Sequence, residues 1–306
     1  MISVEHLTKR YGDTVAVNDL SFEVRPGVVT GFLGPNGSGK STTMRVIMGL
    51  DAPTSGHVTI NDKRYRDLAA PLREVGALLD AKAVHPGRTA RNHLLALAVS
   101  NRIPARRVDE VLEFTGIAAV ADKKVGGYSL GMSQRLGIAA ALLGDPPVLL
   151  FDEPVNGLDP EGIRWIRTFF RTLAAEGRTV FVSSHLMSEM AQSADEIVVI
   201  GRGRFITQGT VDELTTSDGG TVLVRSADNA ALRRALEAAG TTVDSANDGT
   251  MTVRGGDAEA IGLAALAAGV ALFELTPQRA SLEEVFMDLT AGDVEYVSSL
   301  DMTQHG

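Results

Sequence analysis

The hydrophobic and polar positions of this 306-residue chain change period along its length, and the chain opens with a strand pattern. Apolar and polar residues alternate from Ile2 to Val24 around a turn at Tyr11-Gly12-Asp13, which predicts an antiparallel hairpin. Short apolar runs predict further strands. These runs lie at residues 28–33, 57–60, 75–79, 148–151, 179–183 and 196–200.

Between these runs, apolar residues recur at helical spacing. The spacing predicts helices over residues 41–50 and 160–176, and a helical insert over about residues 89–143. Residues 202–209 resemble a closing hairpin, and a short helix follows it. Because strands that alternate with helices form parallel sheets covered on both faces, we predict an α/β domain over residues 1–217.

A second domain is predicted after the run Ser217-Asp218-Gly219-Gly220, which has the composition of a linker. The elements that follow read strand, helix, strand, strand, helix, strand, the order of a small α+β, ferredoxin-like domain over residues 218–290. A last helix is predicted to begin at Ser281, where Ser281 and Glu284 fit a capping box. Residues 291–306 are predicted to form a flexible tail.

Composition narrows the possible functions. Hydrophobic residues make up 44% of the chain and charged residues 22%, as in globular proteins. The longest apolar runs are the size of strands, and no secretory signal opens the chain, so we expect a cytoplasmic protein that does not span a bilayer. The absence of cysteine excludes disulfides and cysteine nucleophiles. A net charge of −9 argues against a nucleic-acid footprint as the main surface.

A glycine-rich loop lies between the predicted strand at 28–33 and the predicted helix at 41–50, and it satisfies the pattern GxxxxGK[ST]. Glycines let backbone N–H groups approach phosphate oxygens, the lysine reaches the β and γ phosphates, and the serine can bind Mg²⁺. The loop therefore predicts a nucleotide site. Its residues are Gly34, Pro35, Asn36, Gly37, Ser38, Gly39, Lys40, Ser41 and Thr42.

Two acids end the apolar run at 148–151. Asp152 is suited to holding Mg²⁺ through water, and Glu153 is suited to positioning and polarising the water that attacks the γ phosphate. The alternative for this strand alone is a pair of acids that face solvent. The glycine-rich loop and this strand with its two acids occur together in kinases, GTPases and many ATPases, so they indicate only a nucleotide-dependent protein.

A third segment is more specific. Tyr128-Ser129-Leu130-Gly131-Met132 resembles the signature motif of ATP-binding cassette (ABC) proteins, whose usual form is Leu-Ser-Gly-Gly-Gln; Ser129 and Gly131 match it. The resemblance, which covers residues 1 to about 217, implies the P-loop NTPase fold of an ABC ATPase with a mixed sheet, an antiparallel β subdomain and the helical insert. It also implies that the segment from Ser129 to Met132 binds the γ phosphate held by an opposite subunit.

Other positions match the same family in the expected order. The resemblance implies that Tyr11 stacks on adenine, that Asp159 lies in a loop at the dimer interface, and that His185 hydrogen-bonds the γ phosphate and the catalytic water. Asp80 stands where the family usually has a glutamine that binds Mg²⁺ and senses the membrane partner. A carboxylate there is expected to coordinate Mg²⁺, while its added charge changes affinity or metal dependence.

The resemblance implies a function as well. It implies an ATP-binding and ATP-hydrolysing subunit that pairs head to tail as a homodimer and powers separate integral membrane permease subunits at the cytoplasmic face of the cell membrane. The details of the signature resemble exporters of drugs and antibiotics. Two alternatives stay open: a soluble ABC ATPase that acts on ribosomes or DNA, and a P-loop kinase. ATP and Mg²⁺ are the expected cofactors, and no nucleic-acid partner is expected.

Overall fold

The computed structural model describes residues 1–216, 221–245, 250–254, 257–278 and 282–283. The chain forms two compact units that part after Gln208. The predicted linker at 217–220 lies outside the described residues, and the domain boundary placed there stays a prediction. Of the predicted final helix from Ser281, only residues 282–283 are described, and they are helical; the predicted tail from residue 291 falls outside the described residues.

The first unit opens with the predicted hairpin. Strands β1 (Ile2–Tyr11) and β2 (Thr14–Val24) pair antiparallel, and β4 (Ser55–Ile60) pairs with the other edge of β1 to complete a three-stranded sheet. The alternation of the sequence places one set of side chains in the core of this unit. The buried set includes Ile2, Val4, Leu7, Val17, Leu20, Phe22 and Val24.

The centre of the first unit is a six-stranded sheet with the order β5-β6-β7-β3-β8-β9. Its pairs from β5 through β8 are parallel, which confirms the predicted parallel sheet. Because these strands run in one direction, the loops that follow β3, β5, β6 and β7 all lie at one edge of the sheet. The bounds are β3 (Val29–Leu33), β5 (Val75–Leu78), β6 (Val148–Asp152), β7 (Thr179–Ser184), β8 (Glu196–Gly201) and β9 (Arg204–Thr210).

Helices connect these strands. The predicted insert is helical, but it is divided where Pro104 cannot continue a helix and where Gly116 adopts a φ of 71°. In the described residues 1–216 the bounds are α1 (Lys40–Ile47), α2 (Pro71–Glu74), α3 (Ala90–Ser100), α4 (Arg106–Phe114), α5 (Leu130–Leu142), α6 (Pro160–Ala175), α7 (Met187–Ser193) and α8 (Val211–Thr216).

The second unit has a four-stranded antiparallel sheet with the order β11-β12-β10-β13, and both of its connecting helices pack into the same core. This order confirms the predicted ferredoxin-like domain. The bounds are β10 (Thr221–Ser226), α9 (Asn229–Ala238), β11 (Thr242–Ser245), β12 (Met251–Arg254), α10 (Ala258–Ala267) and β13 (Leu272–Gln278). In the part of the chain that the structure describes, no helix combines the length and apolar character needed to cross a membrane.

Candidate functional site

The glycine-rich loop joins β3 to α1 in a conformation that requires its glycines. Gly37 and Gly39 have φ values of 82° and 99°, in the left-handed region that side chains disfavour. A Cβ at Gly39 would also lie 2.6 Å from the carbonyl oxygen of Ala16. The loop therefore wraps tightly over the first turn of α1, where backbone N–H groups are free of helical partners and suit a phosphate.

Lys40 is the first residue of α1 and is 6% exposed. Its Nζ donates hydrogen bonds to the carbonyl oxygens of Gly34, at 2.6 Å, and Pro35, at 3.1 Å. Burial lowers the pKa of Lys40, and the negative charges of Glu153 and Asp152 partly oppose that shift. The ammonium group is thus held inside the loop and faces the acids at the end of β6.

Asp152 and Glu153 are held by a residue that the sequence analysis missed. Ser183, on β7, is fully buried; its Oγ donates to Asp152 Oδ1 and accepts a hydrogen bond from the backbone N–H of Glu153 at 3.0 Å. One hydroxyl therefore fixes the direction of both acids. The available signal was a polar Ser183-Ser184 pair at the end of an apolar strand, directly before His185.

The Glu153 carboxylate meets the His185 ring. His185 Nδ1 lies 2.8 Å from Glu153 Oε2, and since an ionised carboxylate only accepts hydrogen bonds, Nδ1 carries the proton. The Glu153 side chain is 21% exposed and the His185 side chain is 39% exposed, so both are reachable from solvent. Glu153 itself has a φ of 49°, a left-handed conformation that is uncommon outside glycine and costs about 1–3 kcal/mol. Chemically, the pair can orient a water molecule and accept its proton.

Tyr11 lies beside the same helix. Its hydroxyl donates to Asp51 Oδ2 at 2.7 Å, and Arg45 Nε of α1 donates to the same oxygen at 2.7 Å. These two donors, Arg45 first, lower the pKa of Asp51 to about 2, and the hydrogen bond to Asp51 raises the pKa of Tyr11. Lys9 Nζ lies 4.7 Å from the centre of the Tyr11 ring, and the residue is 46% exposed. The ring is therefore clamped next to the loop with part of its surface open.

The signature segment begins α5. Ser129 precedes the helix, and its hydroxyl accepts a hydrogen bond from the N–H of Met132 at 3.2 Å. Leu130 is 42% exposed and covers Gly157, while a Cβ at Gly131 would lie 3.2 Å from the Gly157 carbonyl oxygen. The segment thus packs against the loop of its own chain that leads to Asp159.

Asp159 ends that loop and starts the next helix. Its Oδ1 accepts a hydrogen bond from the N–H of Gly162 at 2.7 Å, so the side chain caps α6. This structural role accounts for the aspartate without reference to a second subunit. Its place at a dimer interface stays a prediction.

Few side chains at the site are suited to bind Mg²⁺. Ser41 is the second residue of α1, Asp152 ends β6, and Asp80 lies two residues after β5, the strand that pairs with β6. Asp80 is exposed, and its Oδ1 accepts a hydrogen bond from the N–H of Lys82 at 2.8 Å. The described residues contain no group of three or more His, Cys, Asp or Glu that could hold a metal ion. This set fits Mg²⁺, which is usually held by one or two carboxylates together with waters and substrate phosphates.

The structure thus brings together Lys40, Asp152, Glu153 and His185 at one sheet edge, with Tyr11 beside α1. The signature segment packs against Gly157 and Leu158, which precede Asp159. Among the described residues, no recorded contact joins the signature segment or Asp159 to Lys40. Besides Ser183, the sequence analysis missed Asp51 and the buried Gln134, whose partners are distant in sequence.

Comparisons with known proteins agree with this geometry. The sequence model described as ABC transporter matches residues 17–156, a model of an AAA domain (putative AbiEii toxin, type IV toxin–antitoxin system) matches residues 122–191, and a domain of unknown function matches residues 220–283. The bacitracin transport ATP-binding protein of Bacillus licheniformis is 41% identical over 217 residues, which cover 70% of this chain and 71% of that protein. The daunorubicin resistance ATP-binding protein of Streptomyces coeruleorubidus is 34% identical over 306 residues, covering 95% of this chain and 96% of that protein.

Solved structures give the same answer. An ATP-binding subunit of an ABC transporter has a TM-score of 0.64 and 27% identity, and covers 71% of this chain and 92% of its own. A dimeric ATP-binding cassette in a post-hydrolysis state with ADP and inorganic phosphate has a TM-score of 0.62 and 26% identity, and covers 69% of this chain and 99% of its own. The chain belongs to the family of ABC transporter ATP-binding subunits, and it is an ATP hydrolase.

Proposed function

We propose that this chain hydrolyses ATP to drive a separate integral membrane permease, at the cytoplasmic face of the membrane, and that the cargo exported is a drug-like or antibiotic-like hydrophobic compound. The observation that carries the ATPase half of the proposal is the meeting of Lys40 with Asp152, Glu153 and His185 at one sheet edge. The similarity to a daunorubicin resistance protein, which extends over both units, supports the export half.

In the proposed reaction Glu153 acts as the base. Its carboxylate positions the attacking water and takes its proton, while His185 holds the carboxylate and the water in line with the γ phosphate. Lys40 exchanges the carbonyl oxygens of Gly34 and Pro35 for phosphate oxygens, which develop negative charge as the bond breaks. Mg²⁺, bound by Ser41 and Asp152 with Asp80 nearby, would neutralise the charge on the β and γ phosphates.

The proposed active form is a homodimer with twofold symmetry. Each phosphate loop then faces the signature segment of the other subunit, so that Ser129, Gly131 and the first N–H groups of α5 complete the nucleotide site opposite Lys40. Two features support this arrangement: α5 starts directly after Ser129, so the signature segment lies at a helix N-terminus, and similar cassettes are solved as dimers.

The proposed permease contact is a groove of about 290 Å³ in the first unit. It lies between the end of α1, the residues after β5 and the helical insert, and it is lined mainly by apolar side chains with Asp80 at its edge. A helix of the permease seated there would contact both the insert and the Asp80 loop, and would move as the dimer closes. The lining includes Leu50, Tyr65, Leu79, Val84 and His93.

Purification from native membranes tests the proposal. We expect the tagged full-length chain to retain an integral membrane protein, and we expect a strain that carries Glu153→Gln to lose efflux of the exported compound while the complex still assembles. A complex with ribosomes or DNA and no membrane protein would instead favour the soluble ABC ATPase. The control variant is Gln208→Met, which should preserve efflux. Gln208 lies on β9, the outermost strand on the side of the sheet away from β6, which Glu153 follows.

A further inference from the structure

Helices α1, α4, α6, α9 and α10 end in the same hydrogen-bonded turn. In each, two consecutive N–H groups beyond the helix donate back to carbonyl oxygens of the last turn. The first of these two residues adopts a left-handed conformation, which glycine reaches at the lowest cost. All these helices have glycine there, with φ between 64° and 84°: Gly49, Gly116, Gly177, Gly240 and Gly269. Glycine is therefore the usual residue for this turn within the chain.

Helix α3 ends in the same turn with an arginine. The N–H of Arg102 donates to the carbonyl oxygen of Val99 at 3.3 Å, and the N–H of Ile103 donates to that of Ala98 at 2.8 Å. Arg102 has a φ of 54°, a conformation that costs free energy in a residue with a Cβ. Since the backbone disfavours arginine at this position, its side chain is the place to look for a role.

The Arg102 side chain lines a cavity of about 510 Å³ between α2 and the end of α3. Arg73 of α2 lines it too, and its Nη2 donates to the carbonyl oxygen of Arg102 at 2.9 Å. Sites for small molecules usually measure about 300–1,000 Å³, so the cavity is large enough for one. Its lining, which includes no acidic side chain, is Ala69, Ala70, Pro71, Leu72, Arg73, Ser100, Asn101 and Arg102.

The two arginines of the cavity have no recorded carboxylate partner among the described residues. Other arginines of the helical insert do: Arg91 of α3 pairs with Asp109, and Arg107 of α4 pairs with Asp145 at 3.3 Å. Glu74, which follows Arg73 in the chain, does not line the cavity. The cavity therefore carries two positive charges that no acid of its lining neutralises.

An anion fits these donors best. Guanidinium groups bind phosphate oxygens through paired N–H donors, with a geometry that lysine cannot offer. The negative end of the α3 dipole opposes an anion, but its outward carbonyl oxygens are already bonded. Those of Ala98 and Val99 accept within the turn, and that of Arg102 accepts from Arg73.

We propose that this cavity binds a phosphate-bearing group, and that arginine is retained at position 102 for this purpose. Arg73 and Arg102 donate to the phosphate oxygens from two sides. Because Arg73 belongs to the segment before β5 and Arg102 belongs to the helical insert, a bound anion joins the insert to the sheet. The inference requires neither the permease nor the dimer.

Binding of inorganic pyrophosphate to the full-length chain tests the proposal. The background is Lys40→Ala, which removes the phosphate contact of the glycine-rich loop. We expect saturable binding by titration calorimetry, weakened about 10- to 100-fold by Arg102→Gly and by Arg73→Met. The control Arg234→Gln, in the second unit, removes an exposed arginine whose Nε donates to the carbonyl oxygen of Ala230 at 3.2 Å, and it should leave binding unchanged.

Urea unfolding separates a ligand site from a structural role. If Arg102 serves only to place a positive charge at the end of α3, Arg102→Gly should lower the unfolding midpoint. We expect the midpoint to rise instead, because glycine relieves the left-handed conformation. Arg102→Lys keeps the charge and the backbone conformation but loses the planar donors, so it should weaken pyrophosphate binding at an unchanged midpoint.

Flotation with phosphatidylcholine vesicles, with and without phosphatidic acid, identifies the source of the phosphate. Flotation that requires both the acidic lipid and Arg102 assigns it to a lipid headgroup, whereas pyrophosphate binding without flotation assigns it to a soluble molecule. The proposal is overturned if the chain binds neither probe, or if Arg102→Gly and Arg73→Met bind as the background protein does. An Arg102→Gly protein that unfolds at lower urea, or does not fold, would also overturn it, because the arginine would then be structural.

Discussion

The two halves of the nucleotide site rest on different supports. The half around the phosphate loop is carried by buried parallel strands within one chain. The charges of Asp152 and Glu153 act on Lys40, and Glu153 lies in hydrogen-bond contact with His185. The signature half is carried by the start of one helix, and Ser129 contacts only its own helix among the recorded hydrogen bonds of the described residues. In the proposed dimer, the first half is preorganised for chemistry, whereas the second is placed to meet the other subunit.

The two halves also differ in how rigidly the surrounding structure holds them. Strand ends in a fully buried sheet are fixed by many neighbours, so the first half can hold a strained backbone at Glu153 and a buried ammonium at Lys40. A helix start needs only its cap and its first N–H groups, and it can move as a rigid body. Substitutions in the first half should therefore affect chemistry most, and substitutions in the second should affect assembly most.

Glu153→Gln should have the largest effect. An amide cannot take a proton from water, so turnover should fall by about 10²- to 10⁴-fold while ATP binding is retained. The measurement is the steady-state rate of phosphate release, with ATP affinity determined on the same sample. Turnover within threefold of the wild type would remove Glu153 from the role of base.

Ser183→Ala should have the second largest effect on turnover. It leaves Asp152 Oδ1 and the N–H of Glu153 without their shared partner, and the loss of about 1–3 kcal/mol corresponds to about 5- to 150-fold in turnover. The matched control is Ser184→Ala, a neighbouring buried serine whose hydroxyl accepts from the N–H of Leu186 instead. Equal losses in the two variants would indicate general damage to β7 rather than a specific hold on the acids.

Ser129→Ala tests the second half of the site. It removes the cap of α5, which costs about 1 kcal/mol of stability, and in a dimer it also removes a phosphate contact, so turnover should fall by about tenfold. Asp228→Ala is the control, because Asp228 caps α9 with a hydrogen bond of 2.9 Å to the N–H of Ala231 in the second unit. It should lower the free energy of unfolding similarly and leave turnover unchanged; matched turnover losses would contradict the assignment of Ser129.

The smallest effect should come from Asp51→Asn, which loosens the clamp on Tyr11. The folded pKa of Asp51 is about 2 against an ordinary 3.8, so the ionised form is stabilised on folding. Its contribution is present above about pH 3.8 and is lost as pH falls toward 2. For an exposed pair we expect about 0.2–1 kcal/mol in urea unfolding at pH 7, vanishing near pH 2, and a loss of ATP affinity of about threefold. Asp67→Asn, at another exposed arginine pair, should leave ATP affinity unchanged.

Much of the fold was predictable because strands and helices leave a period in the sequence. The hairpin, the parallel strands and the ferredoxin-like order were all predicted from alternation and apolar runs. Pro104 and Gly116, which divide the insert, are visible in the sequence, but their effect depends on the backbone conformation that each adopts. The domain boundary predicted at 217–220 lies outside the described residues and stays a prediction.

The site was predictable where chemistry demands a residue type at a fixed position. Lys40, Asp152 and Glu153 belong to such positions, and the fold places them together. The sequence analysis missed Ser183, Gln134 and Asp51 because each bonds a residue far away in the sequence, and a local pattern does not show such a contact. The separations are 30 positions for Ser183, 19 for Gln134 and 40 for Asp51. The role of Asp80 stays a prediction, because its recorded hydrogen bond is to Lys82, only two residues away.

The central claim is that the two halves complete each other across two chains. Sedimentation of full-length Glu153→Gln with saturating ATP and Mg²⁺ tests it most directly, with Lys40→Ala as the control that lacks the phosphate contact. The account predicts a dimer for Glu153→Gln with ATP, a monomer without nucleotide, and a monomer for Lys40→Ala under both conditions. A Glu153→Gln protein that binds ATP and remains monomeric at high protein concentration would contradict it.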